Sequence, residues 1–206
     1  MIVKNQTREA VMLPVIAGRK INLRPLRSSD IPSLVKHARD REISQYTFIP
    51  HPYRKEHAEQ FIKMSRLWER KGIAQHYGIE LRQSGEIIGA VGLFDLDKRN
   101  QKTEIGYWLG MEYWGKGIAS EAVSLVVQYC FRTLKLHRVY AHVFVGNVAS
   151  ERLLLRLGFQ WEGLERDCRR RRGRWMDSIL YAILKSEFKQ SRVRTSRSHL
   201  SEKNQK

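Results

Sequence analysis

The chain has 206 residues, a 42% hydrophobic fraction and a formal charge of +17, enough length for one domain with a single substantial core. Its two cysteines have no framework spacing and no apolar run nears the roughly 20 residues of a membrane-spanning helix, so a disulfide scaffold and a helical membrane protein are excluded. We expect a reduced, cytoplasmic protein whose basic surface attracts polyanions such as nucleic acid, the ribosome or nucleotide phosphates.

Residues 1–18 show no clear period and read as an N-terminal arm. Ile21 to Leu26 alternates as a first strand, and Ser28, Ser29, Asp30 and Pro32 then open a helix with Ile31, Leu34, Val35 and Ala38 on its buried face. A loop through Pro50 and Pro52 leads to a second helix, Lys55 to Arg70, that stops at Gly72. His76 to Arg82 and Glu86 to Asp95 flank Gln83-Ser84-Gly85 as a β-hairpin, and Thr103 to Leu109 supplies a third consecutive strand. From Ala119 onward Ala122, Val123, Val126, Val127, Cys130 and Phe131 recur at helical spacing. Arg138 to Val145 alternates again, Ala149 to Leu157 is a short helix capped by Gly158, and Phe159 to Asp167 and Trp175 to Lys185 are strands around an arginine-rich turn. Residues 189–206 read as a basic, disordered tail.

This order, β-α-α-β-β-β-α-β-α-β-β, implies an α/β mixed sheet covered by helices on both faces. Its centre is the run Thr103 to Ala119, which reads as strand, glycine-rich turn and helix. Gly115 and Gly117 flank Lys116 immediately before the helix. Amides left unpaired at a helix N-terminus, beside glycines that expose more, make a ready phosphate site. Neither G-x-x-x-x-G-K-[ST] nor G-x-G-x-x-G in a first βαβ unit is present.

Trp114-Gly115-Lys116-Gly117-Ile118-Ala119 instead resembles the pyrophosphate loop of the GNAT superfamily, the acyl-CoA-dependent N-acyltransferases. Trp114 departs from the usual Q/R at the first position and is similar to the branch that acetylates the N-terminal alanine of ribosomal proteins. Asn147-Val148-Ala149-Ser150, followed by a short helix and Gly158-Phe159, resembles the same branch. The resemblance covers residues 19–188 and implies the acyl-CoA N-acyltransferase fold, with a mostly antiparallel central sheet, acetyl-CoA as co-substrate and no metal. It also implies that Leu109, Trp114, Gly115, Lys116, Gly117, Ile118, Ala119, Ser120 and Asn147 contact the cofactor. The acceptor it implies is a protein N-terminus or a small amine, on a monomer or homodimer, with no membrane contact and with ribosome or RNA contact through the basic surface.

An amine nucleophile must lose a proton, and two carboxylates compete to take it. Glu104 lies on the strand feeding the loop; Glu162, in Phe159-Gln160-Trp161-Glu162-Gly163, fits the branch pattern F-x-x-E-G. Ser150 either caps its helix or protonates the departing thiolate. The backbone of Leu109 and Gly110 is the expected oxyanion donor pair. His142 reads as structural, Cys168 lacks the partners of a nucleophile, and Trp68, Trp108 and Trp175 read as core or pocket walls. A rival from another class is a basic RNA- or ribosome-binding module that keeps the fold without turnover. The arginines Arg169 to Arg172 and Arg174 are expected in a turn beside the acceptor cleft, where their charge would steer encounter.

Overall fold

The sheet is covered on both faces, so β3 and β4 are buried in continuous runs, and the two faces carry two separate cores. The structure, a computed structural model, describes residues 13–188. Strands β1 (Ile16–Ala17), β2 (Ile21–Pro25), β3 (Gln75–Leu81), β4 (Ile87–Asp97), β5 (Lys102–Leu109), β6 (Arg138–Phe144), β7 (Gln160–Arg171) and β8 (Arg174–Leu184) form one sheet. Its order is β1-β2-β3-β4-β5-β6-β8-β7. All neighbours are antiparallel except β5 and β6, which are parallel. The helices are α1 (Ile31–Ala38), α2 (Arg41–Gln45), α3 (Lys55–Lys71), α4 (Ile118–Arg132) and α5 (Val148–Arg156).

The larger core joins Ala122, Val123, Val126 and Cys130 of α4 and Leu153 and Leu154 of α5 to Ile79, Ile88, Ile105, Val139 and Val143 of the sheet. On the opposite face Leu34, Ala38, Ala58 and Ile62 of α1 and α3 pack on Leu26, Ile87 and Trp108. Burial of these residues supplies the main driving force, at about 25 cal/mol per Å² of apolar surface. The mixed sheet with helices on both faces is the architecture expected from the element order.

A largely buried ion cluster sits where β2 leads into α1. Arg24 of β2 makes a bidentate pair with Asp30 (2.8 and 2.9 Å) and a further bond from Nε to Glu80 of β3. Asp30 also accepts the Arg27 N–H at 2.7 Å. Burial by itself would raise the Asp30 pKa, but the Arg24 guanidinium and the Arg27 amide outweigh it and hold the carboxyl below its ordinary value. The cluster fixes the exit of β2 toward α1.

Three local features differ from the sequence expectation. Ile16 and Ala17 pair with Leu23 and Asn22, so the sheet begins inside the segment read as an arm. Five residues of α2 form where a loop was expected, too short a stretch to show a helical period. The arginine-rich segment is strand, not turn: β7 and β8 pair through Arg171↔Arg174, and only Arg172 and Gly173 lie between them. The expected character of residues 1–12 and of the tail from residue 189 lies outside the described residues.

His76 of β3 sits 4% exposed among the rings of Phe61, Trp68 and Phe94, with no partner on either ring nitrogen. Burial pushes its pKa down to about 4. The unfolded chain therefore binds the proton first as pH falls below the ordinary imidazole value of about 6.5, and stability drops between there and about 4. Urea denaturation at pH 7 and pH 5 should show a loss on the order of 2 kcal/mol from this group. His76→Leu should lose correspondingly less over the same interval.

Candidate active site

A gap opens in the sheet where the single parallel pairing ends. Lys102, Thr103 and Glu104 pair with Arg138, Val139 and Tyr140. Beyond them β5 runs on to Leu109 paired only to β4, while β6 runs on to Phe144 paired only to β8. The Gly110 N–H donates to Ile88 O at 2.8 Å. Rungs of an antiparallel ladder alternate, so Tyr107 and Leu109 direct their backbone groups away from β4 and into the gap. This corrects one expectation: Gly110's amide is taken by β4, and Leu109 alone of that pair presents an N–H to the gap. Leu109 O accepts the Trp114 indole N–H at 2.7 Å, which pins the strand end.

The glycine loop follows at the same end. Gly115 and Gly117 hold φ of +73° and +74°, a region that costs a non-glycine residue about 1–2 kcal/mol. Gly117 is the N-cap of α4, and its carbonyl accepts the first intrahelical bond from Glu121 N–H. The first-turn amides of Ile118, Ala119 and Ser120 precede that bond and have no intrahelical partner. A Cβ placed on either glycine would meet nothing within 4 Å, so the loop faces open space. Lys116 stacks its ammonium over Tyr113 (5.6 Å), and Lys20 Nζ bonds Lys116 O at 2.9 Å. Lys20 adds a cation at the loop that the sequence reading did not single out.

Two hydroxyls meet at the gap on the α5 side. Tyr107 Oη and Ser150 Oγ lie 2.8 Å apart. Ser150 is not the cap of its helix: Asn147 is, with its side-chain oxygen accepting the Ser150 N–H at 3.3 Å. The Ser150 hydroxyl is thus available to Tyr107. Burial pushes the Tyr107 pKa up to about 12, against a small lowering by the Ser150 bond, so the phenol keeps its proton near neutral pH. Tyr107 was missed because a tyrosine in a strand of aromatics carries no mark of its own; alternation with Ile105 and Leu109 was the one available signal.

Glu104 faces the opposite side of the sheet. Its carboxylate touches His142 Nδ1 (2.9 Å) and Arg169 Nη2 (3.0 and 3.2 Å). Burial alone would raise its pKa, but the His142 hydrogen bond and the Arg169 charge prevail and lower it. Glu162, the rival carboxylate, lies at a bulge of β7 and makes a bidentate pair with Arg138. Arg138 belongs to the rung where β5 and β6 are still joined, and its hydrogen bonds lower the Glu162 pKa. The two glutamates are therefore not neighbours in function: Glu104 borders the start of the opening, and Glu162 closes an ion pair beside the joined end.

The arginines divide in the same way. Arg169 holds Glu104, Arg171 Nε donates to Thr47 O (2.8 Å), and Arg172 donates to Ser44 Oγ (2.9 Å). The end of the β7–β8 hairpin is thereby tied to α2 and the segment after it. Phe48 of that segment packs on Phe144 at 5.4 Å, over the end of β6. Three of the five arginines expected to steer an acceptor thus make contacts along the cleft; Arg172, like Arg170 and Arg174, is nonetheless exposed. Trp68 and Trp108 are half-buried, but Trp175 is 60% exposed and is no part of the core.

The loop geometry gives a direct test. Gly117→Val should leave the fold intact with a Tm a few degrees lower, since a positive φ costs a branched residue on the order of 1–2 kcal/mol. Titration calorimetry with coenzyme A should show affinity reduced at least about tenfold, because the new side chain fills the space an anion needs at the amides. Unchanged affinity would remove the loop from the site.

A model of the acetyltransferase (GNAT) domain family matches residues 20–160. N-acetyltransferase p20 of Bacillus licheniformis is 36% identical over 169 residues, 82% of this chain and 95% of that protein. The [ribosomal protein uS5]-alanine N-acetyltransferase of Escherichia coli is 32% identical over 117 residues, 56% of this chain and 60% of its own length. Among solved structures, RimJ of Mycobacterium smegmatis in complex with CoA-disulfide superposes with a TM-score of 0.76 at 28% identity, covering 85% of this chain and 87% of that one. With the opened parallel pair, the αL glycine loop and these matches together, the chain belongs to the GNAT family of N-acetyltransferases.

Proposed function

We propose that this enzyme transfers an acetyl group from acetyl-CoA directly to the N-terminal amine of a ribosomal protein in the cytoplasm, within a catalytic unit spanning residues 19–188. The observation that carries the reading is the gap between β5 and β6, with an anion site at its mouth and Glu104 on one lip. The amides of Gly117, Ile118, Ala119 and Ser120, with Gly115, Lys116 and Lys20, take the pyrophosphate. Trp114 holds the loop to Leu109, and Asn147 sets the start of α5 against the pantetheine arm. The thioester supplies an acyl group already activated toward attack by nitrogen.

Glu104 takes a proton from the acceptor ammonium. Its lowered pKa keeps it a carboxylate throughout the neutral range, ready to accept. The freed amine attacks the thioester carbonyl while the Leu109 N–H stabilises the oxyanion. As the C–S bond breaks, Ser150 gives a proton to sulfur, the phenol of Tyr107, at 2.8 Å, restores the serine, and the second proton shed by the acylated nitrogen restores Tyr107. The similarity to the E. coli [ribosomal protein uS5]-alanine N-acetyltransferase supports a protein N-terminus as acceptor. The exposed Arg170 and Arg174 suit an acceptor that is bound to ribosomal RNA or assembling on it.

The test measures coenzyme A release from the full chain with acetyl-CoA and three acceptors: a ribosomal protein, a neutral peptide with the same N-terminus, and a polyamine. Turnover of the protein and peptide is expected; turnover of the polyamine alone would overturn the acceptor class. Glu104→Gln should lower kcat by roughly 10²-fold, the usual scale for a lost general base, with acetyl-CoA affinity preserved. A full-rate variant would leave the base to Glu162 or water. Replacing Arg170 and Arg174 together by serine should cut kcat/KM on the ribosomal protein at low salt and leave the neutral peptide nearly unchanged.

A further inference from the structure

Of the two protons that an acceptor ammonium sheds on becoming an amide, one ends on the sulfur and the other must reach bulk water. Glu104 receives that second proton at a side chain only 15% exposed. Its contacts run outward through one imidazole. His142 Nδ1 lies 2.9 Å from Glu104 Oε1, and His142 Nε2 lies 3.0 Å from Glu165 Oε2. The His142 side chain is also 15% exposed, whereas that of Glu165 is 42% exposed. From the buried carboxylate to water there is thus a line of three titratable groups in hydrogen-bond contact.

The surroundings of the ring separate a relay from a static bridge. Arg169 Nη2 stands 2.9 Å from the same Nδ1 that touches Glu104. A protonated Nδ1 can donate to the Glu104 carboxylate, and a bare Nδ1 can accept from Arg169. The nitrogen therefore keeps a partner in both states without moving. At the other nitrogen, Glu165 accepts from Nε2–H when ionised and donates to a bare Nε2 when protonated. Tyr140, with its ring 5.7 Å away, and Arg169 complete the polar environment of the imidazole. The Glu162–Arg138 pair is the contrast: two parallel bonds and an arginine that cannot give up its proton.

We propose that His142 and Glu165 are positioning residues of a proton exit, through which the proton taken by Glu104 leaves for solvent. Resting on the assignment of Glu104 as base, the sequence of transfers is fixed. The acceptor N–H bond breaks toward Glu104, Glu104 protonates Nδ1, the Nε2 proton passes to Glu165, and Glu165 releases it to water. Each turnover delivers one proton to bulk and leaves the imidazole with its hydrogen on Nδ1; exchange of the ring proton with water restores Nε2–H before the next turnover. No group is oxidised or reduced. The imidazole suits this task because each of its two nitrogens can either give or take a proton.

The experiment measures steady-state acetylation of a neutral peptide by the full-length enzyme at pH 6 to 9, in weak buffer and with added imidazole. Wild type should be insensitive to imidazole. His142→Ala should lose about tenfold or more in kcat, as for an impaired proton transfer, and regain rate as imidazole is added. Glu165→Gln should shift the acid limb of the kcat profile and become dependent on buffer concentration, with KM for acetyl-CoA unchanged in both variants. Circular dichroism and acetyl-CoA affinity establish that each variant is folded. A full-rate His142→Ala, or a slow one that imidazole does not restore, would overturn the exit. A Glu104→Gln enzyme at full rate would instead overturn the base assignment beneath it, and absent turnover in wild type would overturn the acceptor.

Discussion

One short parallel pairing inside an antiparallel sheet decides what this protein can do. A parallel neighbour needs a crossover, and α4 is that crossover between β5 and β6. The pairing lasts three rungs before the strands part, and the hydrogen-bonding groups of Tyr107 and Leu109 are left facing the opening. Sheet backbone is seldom left unpaired away from water, so such an edge is suited to a guest that brings its own amides. The same crossover brings the N-terminus of α4 to the end of β5. The unpaired amides of the loop and the extended slot are therefore contiguous by construction.

The two lips of the gap have different chemistry because successive residues of a strand face opposite ways. Odd-numbered residues of β5 face α4 and α5, where Tyr107 meets Ser150 in a nearly closed apolar layer. The even-numbered Glu104 faces the side of α1 to α3, where the long β7–β8 hairpin lays Arg169 against it. One face holds neutral hydroxyls that keep their protons; the other holds carboxylates paired with a guanidinium and an imidazole. This separation lets a single strand present a hydroxyl on one face and a carboxylate on the other without the two neutralising each other.

The hairpin is also what gives the charge of the chain its meaning. Taken as a sum, +17 suggested attraction of polyanions. In the fold part of the arginine cluster makes specific contacts: Arg169 with the Glu104 carboxylate, Arg171 and Arg172 with the backbone and hydroxyl of the α2 segment. Exposed contacts of this kind are worth little, but those of Arg171 and Arg172 bridge residues 124 and 128 positions apart and set the width of the cleft. Burial, with the charge of Arg172 beside it, lowers the Arg171 pKa, a mark of how far that guanidinium has been drawn out of solvent.

Sequence alone determined the elements other than β1 and α2, the glycine loop and the family resemblance. These are local properties: hydrophobic period separates helix from strand, and the αL turn at Gly115 and Gly117 is a choice of backbone that glycine makes cheap. Asn147 as a cap, and Ser150 released from capping, lay within four residues of each other, yet both assignments were open to sequence and only geometry chose. Tertiary structure alone decided that Glu104 rather than Glu162 borders the opening, that Tyr107 reaches Ser150 across 43 positions, and that His142, read as structural, links Glu104 to Glu165. It also turned an expected arginine loop into strand. Each of these depends on strand register and on where β5 and β6 part, and register is settled by contacts between distant segments that no local pattern encodes.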